Sequence, residues 1–264
     1  MLCTDCGARP AASADGRCPV CAANRPAHPN GPTGLRDLRS PVGLGRAAVV
    51  LLAVVIATDV VALAAGLNVR GEFAALGGAA TYDADPVTRA EAVYGIAGGL
   101  QGLVTPATGV VFIIWFHRLR LNAEVFDAGL QPMRPGWAIG AWFVPVANIW
   151  LPRRVAGGIW EASAQHYGDG GRRTVSKAPL NLWWAVYIGS AAFSWVVSKN
   201  YERAVLPGEL TDAVTLVMSA DALDIVAAVL AIVFVRELTR MQCERAALGP
   251  HPLSAAPSAG PVPD

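Results

Sequence analysis

Four cysteines near the amino terminus, Cys3-x-x-Cys6 and Cys18-x-x-Cys21, are the residues whose types and spacing most directly imply chemistry. Four thiolates in two pairs suit a tetrahedral metal with every position filled and none left open for catalysis, so structural zinc is the expected cofactor. Gly7, directly after Cys6, permits the positive φ that such a turn often needs, and Pro19 stiffens the second pair. Disulfides are the first competing use of these sulfurs, and they require an oxidising compartment. Iron would want an electron partner that the sequence does not offer, and four free thiols at this spacing would be a coincidence. A module this short has almost no core, so its fold should depend on metal. The second chemically pointed set is Asp59, Asp221 and Asp224, each inside a long apolar stretch. A carboxylate in hydrocarbon costs several kilocalories per mole unless it is paired, hydrated or protonated.

The patterns Cys3-Thr-Asp-Cys6-Gly and Cys18-Pro-Val-Cys21 resemble zinc ribbons of the rubredoxin-knuckle type. Composition fixes what carries this knob. The chain is 53% hydrophobic and only 16% charged, with a net charge of +1. Soluble domains carry about a quarter charged residues. A near-neutral charge also argues against a general nucleic-acid binder, which needs a large basic surface. No Gly-rich phosphate loop, Ser-His-Asp set or His-Glu-x-x-His signature is present, and no enzymatic activity is expected.

Four segments are long and apolar enough to cross a bilayer: 47–67, 92–116, 180–198 and 213–235. The expected fold is therefore an all-α, four-helix transmembrane bundle over residues 44–248. Residues 1–22 form the ribbon, 23–43 a flexible linker, and 249–264 a Pro/Ala/Ser-rich disordered tail. Residues 1–34 lack a secretory h-region, so the first apolar segment is expected to be an uncleaved signal anchor. Gly95, Gly98, Gly99 and Gly102 offer a small-residue face for close helix contact, and Pro106 should kink its helix.

Basic residues set the orientation. Arg36, Arg39 and Arg46 flank the first span, and Arg118 to Lys177 carry most of the remaining positive charge. Arg236, Arg240 and Arg245 follow the last span, whereas loop 68–91 is acid-rich. Four crossings put all three basic regions on one side, so both termini are expected to be cytoplasmic, at the plasma membrane.

Between spans two and three, Trp137–Leu151 is too short to cross and is broken by Pro145. An interfacial or re-entrant segment is expected, with Asn148 satisfying backbone groups freed by Pro145 and with Trp137, Trp142, Trp150 and Trp160 at headgroup depth. Pro152 should open a following helix whose Val155, Ile159 and Ala162 share a face. Arg118, Arg120, Arg153 and Arg154 rim this region and are candidates for binding a partner or anionic lipid. His28, His117 and His166 lack ligand-spaced companions, and Cys243 reads as a bystander, with juxtamembrane acylation as its alternative.

The text Trp115-Phe-His117-Arg118-Leu-Arg120-Leu-Asn122-Ala-Glu124, followed by Gly136-Trp137…Trp142-Phe-Val-Pro145-Val-Ala-Asn148-Ile-Trp150-Leu-Pro152-Arg153-Arg154, resembles a family of four-span actinobacterial membrane proteins catalogued as domain of unknown function 4328. The resemblance implies a topology and no activity.

Two functions follow as expectations. The first is an interaction or sensory scaffold presenting the ribbon and a basic inner surface to a cytoplasmic protein or anionic lipid. The rival is a bundle conducting a small cation, proton or solute through Asp59, Asp221 and Asp224. A structural use of these aspartates is the milder alternative. In it, neutral, protonated carboxyls hydrogen-bond with Thr58, Gln101 or Ser219 and fix helix register. A transporter would usually show more spans, internal repeats or broken helices.

Overall fold

A computed structural model describes residues 38–76, 83–164 and 175–247. The four ribbon cysteines, the linker up to residue 37, His28, His166 and the tail from residue 248 lie outside them. Among the described residues the regular structure is all helical: α1 Val42–Leu76, α2 Ala84–Phe126, the short α3 Trp137–Gly140, α4 Leu151–Ser163, α5 Ala178–Tyr201 and α6 Pro207–Ala247. Four of them, α1, α2, α5 and α6, are long and apolar enough to cross a membrane. Bilayer-spanning segments satisfy their backbone groups internally, which long helices do without help from neighbours.

All four of these helices outrun the expected spans, α5 least of all. At 1.5 Å per residue, the 43 residues of α2 extend about 64 Å, twice the roughly 30 Å of hydrocarbon. The acid-rich loop expected over 68–91 contracts accordingly, because α1 continues to Leu76 and α2 begins at Ala84. The reason is a second small core: Val69 and Phe73, one turn apart on α1, pack with Ala90 and Val214. At the other end α1 starts at Val42, so the last linker residues belong to the helix. Asp83 caps α2 by accepting from the amide of Asp85 at 3.0 Å. The helix then runs through Pro106 without interruption.

The spans are antiparallel and ordered as a row. On α1 and α6, Gly45 meets Thr239, Asp59 shares a partner with Asp221, and Arg70 bonds Thr215. One number climbs as the other falls. Helix α2 packs along α1, α1 along α6, and α6 along α5. Helices α2 and α5 close the row through large side chains, Phe112 against Trp183 at 5.5 Å and Tyr94 against Tyr201 at 6.5 Å. At the end that holds the start of α1 and the finish of α2 and α6, helices α3 and α4 fill the remaining gap.

That gap-filling gives several tryptophans a packing role. Trp160 on α4 is buried and stacks on Phe234 of α6 at 6.1 Å, which in turn stacks on Trp183 at 4.5 Å. Trp183 and Trp184 are also buried, and Trp142 is half-buried against Phe112, Phe116 and Trp184. Of the tryptophans expected at headgroup depth, only Trp137 and Trp150 are exposed. Aromatic side chains are bulky enough to bridge helices whose backbones stay apart, and here they form the main core.

Glycine contacts also differ from expectation. A Cβ at Gly95, Gly98, Gly99 or Gly102 would meet nothing within 4 Å, so this face packs on no helix of the chain among the described residues. Close approach occurs instead at Gly45, where a Cβ would lie 2.9 Å from Thr239 Oγ1, and at Gly66, 2.9 Å from Met218 Cγ.

Candidate functional site

Near the middle of the bundle one amide joins three helices. The Nε2 of Gln101 on α2 donates to Asp59 Oδ1 on α1 at 2.8 Å and to Asp221 Oδ1 on α6 at 3.0 Å. Antiparallel α1 and α6 place the two aspartates level with each other, and Gln101, from the neighbouring helix, spends both its protons on them. Asp59 is 4% exposed and Asp221 7% exposed. The Oδ2 of each is buried without a hydrogen-bond partner. Of the three partners expected from the sequence, Gln101 alone makes the bridge. Thr58 and Ser219 instead bond back to the carbonyls of Val55 and Thr215 on their own helices.

Asp224 takes no bond from Gln101 and lies beside the hydroxyls of Ser190 and Ser194 on α5, yet it is close enough to Asp59 and Asp221 to interact electrostatically with both. The Tyr94 hydroxyl borders Asp221 and is buried without a partner. No Lys, Arg or His lies within two helical turns of Asp59, Gln101, Asp221 or Asp224 in the sequence. Among the described residues no three His, Cys, Asp or Glu side chains converge as a metal-binding group. An amide nitrogen thus occupies the place between the two aspartate side chains and hydrogen-bonds three helices together.

A second polar centre lies at the arginine-bearing end. Asn122, 3% exposed, accepts from the Arg39 amide at 3.1 Å and donates to the Arg39 carbonyl at 2.9 Å. Its Nδ2 also donates to Gln242 Oε1 at 3.0 Å, while Gln242 Nε2 reaches the Leu119 carbonyl at 2.9 Å and Ser163 Oγ at 3.3 Å. The two amides thereby tie together the chain before α1, the end of α2, α4 and α6. Arg118 adds a bond to the Ser40 carbonyl at 3.1 Å. Sequence reasoning passed over Gln242. A signal existed, because it follows Phe234, Leu238 and Met241 on the buried stripe of α6.

The four arginines expected to rim an inner surface divide. Arg120 does not belong to a surface: it is 2% exposed, pairs with Glu124 one turn on, and donates to the Met133 carbonyl at 2.6 Å. It pins the chain as it leaves α2. Arg118 is half-buried, whereas Arg153 and Arg154 are exposed. Arg153 donates to Asn181 Oδ1 at 2.6 Å. On α4 the expected face of Val155, Ile159 and Ala162 is the buried one. Asn148 is exposed, and the bond near Pro145 comes from its backbone amide to the Val144 carbonyl at 3.0 Å. Cys243 is a free, half-buried thiol, and His117 is half-buried near the end of α2.

A family model described as domain of unknown function DUF4328 matches residues 78–240. Gln101, Asn122, Arg153, Arg154, Asp221 and Asp224 fall inside this stretch, while Asp59 and Gln242 fall outside it. No curated protein and no solved structure matches the chain. With most of its length covered by that match and four helices able to cross a bilayer, the chain is a multi-pass membrane protein belonging to the DUF4328 family.

Proposed function

We propose that this protein is a membrane-resident interaction or sensory scaffold, holding a zinc-bound Cys3/Cys6/Cys18/Cys21 ribbon and an arginine-bearing face at the cytoplasmic surface. The observation that carries the reading is the clasp of Asn122 on Arg39. It fixes the point where the amino-terminal segment joins the bundle to the same end as Arg118, Arg153, Arg154 and Arg236. A base cross-tied by the Asn122 and Gln242 amides suits a platform, whereas a pathway needs parts that move. The positive-inside tendency supports a cytoplasmic location for this end, where thiols stay reduced and available to zinc.

The full chain should hold a single zinc ion, lost on Cys3→Ser/Cys6→Ser substitution, by metal analysis of the purified protein. Deletion of residues 1–30 should leave the bundle inserted and remove its partners from an in-cell crosslinking pull-down. Identical partner profiles with and without the ribbon would reject the scaffold role.

A small-cation or proton-conducting bundle is the second reading, favoured by the unpartnered Oδ2 atoms of Asp59 and Asp221. Replacing Asp59, Asp221 and Asp224 together with Asn should then abolish flux in proteoliposomes, whereas a scaffold would change only in stability.

A further inference from the structure

The segment joining α3 to α4 turns its apolar side chains outward. Phe143 is 71% exposed and Val146 68%, with Ile149 and Trp150 also exposed. Val146 has φ 64° and ψ −48°, and the Ala147 amide donates across it to the Pro145 carbonyl at 2.7 Å, closing a three-residue turn. This conformation is rare and costly for a β-branched residue. Strain that presents a valine to water would be doubly unfavourable, because the exposed apolar area adds its own cost.

Trp150 stands three and four residues before Arg153 and Arg154, so it shares their side of α4. Arg153 is steered toward the start of α5 by Asn181. Arg154 is exposed and takes part in none of the ion pairs among the described residues. A tryptophan below and cationic heads above is the arrangement of a headgroup boundary, where indole rings settle and arginine stems lie along apolar surface.

We infer that the Phe143–Arg154 surface is a binding site for an anionic glycerophospholipid. Its acyl region covers Phe143, Val146 and Ile149, Trp150 lies at the glycerol level, and the guanidinium groups of Arg153 and Arg154 hold the phosphate. The occupant is a lipid because the apolar wedge adjoins helices that already cross the bilayer. It is anionic because the surplus charge here is positive. The inference deepens the basic-face half of the proposed function and uses neither the ribbon nor the aspartates.

The test reconstitutes the full chain in nanodiscs of phosphatidylcholine with a minor share of phosphatidylglycerol. Lipids retained after detergent extraction are weighed by native mass spectrometry. Each arginine near an anionic surface is worth about a factor of five, so wild type should retain phosphatidylglycerol roughly 25-fold over phosphatidylcholine. The Arg153→Gln/Arg154→Gln variant should lose that preference, with no more than the small drop in melting temperature that loss of the exposed Arg153–Asn181 bond entails. A photoreactive benzophenone residue in place of Phe143 should acquire a lipid adduct, and one in place of buried Val155 should not.

Equal retention of the two lipids by wild type would overturn the inference, as would an undiminished preference in the double variant or no adduct at position 143. Displacement of the lipid by millimolar glycerol phosphate would reduce the site to a phosphate site and overturn the lipid assignment. Partner pull-down by the ribbon is a separate readout, so failure here leaves that result standing.

Discussion

Replacing Gln101 with Leu should destabilise the bundle, and removing its two aspartates as well should restore it. Gln101→Leu deletes both donors, at 2.8 and 3.0 Å, from carboxylates whose other oxygens already lack partners. Side-chain hydrogen bonds between membrane helices average about 0.6 kcal/mol and reach about 1.7. Two of them set a loss of about 1–3 kcal/mol, with the upper part of the range expected because no water-facing escape is open to groups this buried. The Asp59→Leu/Gln101→Leu/Asp221→Leu variant removes donors and acceptors together, and apolar replacement of a whole buried polar set is near neutral or stabilising. It should match or exceed wild type. The assay is unfolding in mixed micelles of rising dodecyl sulfate fraction, followed by the fluorescence of the eight tryptophans. A triple variant less stable than Gln101→Leu alone would refute the reasoning. The carboxyls would then have a favourable partner besides the amide, as a cation site requires. No change on Gln101→Leu would refute the bridge itself.

Asn122→Ala leaves buried Gln242 Oε1 without its donor and frees Arg39, so a loss of about 2–3 kcal/mol is expected. Hydrogen exchange at the Arg39 amide should speed up even under conditions where the spans stay protected. Val146→Gly should stabilise by about 1 kcal/mol: relief of an unfavourable φ outweighs the entropy of the added glycine, and an outward valine loses no contact inside the chain. Gly45→Ala places a Cβ against Thr239 Oγ1 and near Trp115 Nε1, breaking their 3.1 Å bond at a cost of about 1–3 kcal/mol. Gly98→Ala and Gly102→Ala, with open space around them, should instead gain up to about 1 kcal/mol of helix propensity. A loss there would mean that this face packs against another copy.

Four apolar stretches of spanning length, the parity that puts Leu38 and Ala247 at one end, and the level placement of Asp59 with Asp221 all follow from counting along the sequence. So does the buried face of α4, because that helix is truly amphipathic: charge on one side and Val155, Ile159 and Ala162 on the other. In the long helices this signal vanishes. Lipid is as apolar as a protein interior, so a span shows hydrophobic residues on every side and carries no mark of which side meets a neighbour. Only the packed structure could decide that the row runs α2–α1–α6–α5 and that Gly45 and Gly66, rather than the Gly95–Gly102 face, are the close approaches. The fates of Trp160 and Trp183 were undecidable for the same reason. An indole is equally at home at an interface or in an aromatic core, and the space left between α2 and α5 settled the matter. Arg120 shows the same limit for charge. Its burial depends on Glu124 and the Met133 carbonyl arriving together, and the turn that brings Met133 back is fixed by tertiary contacts.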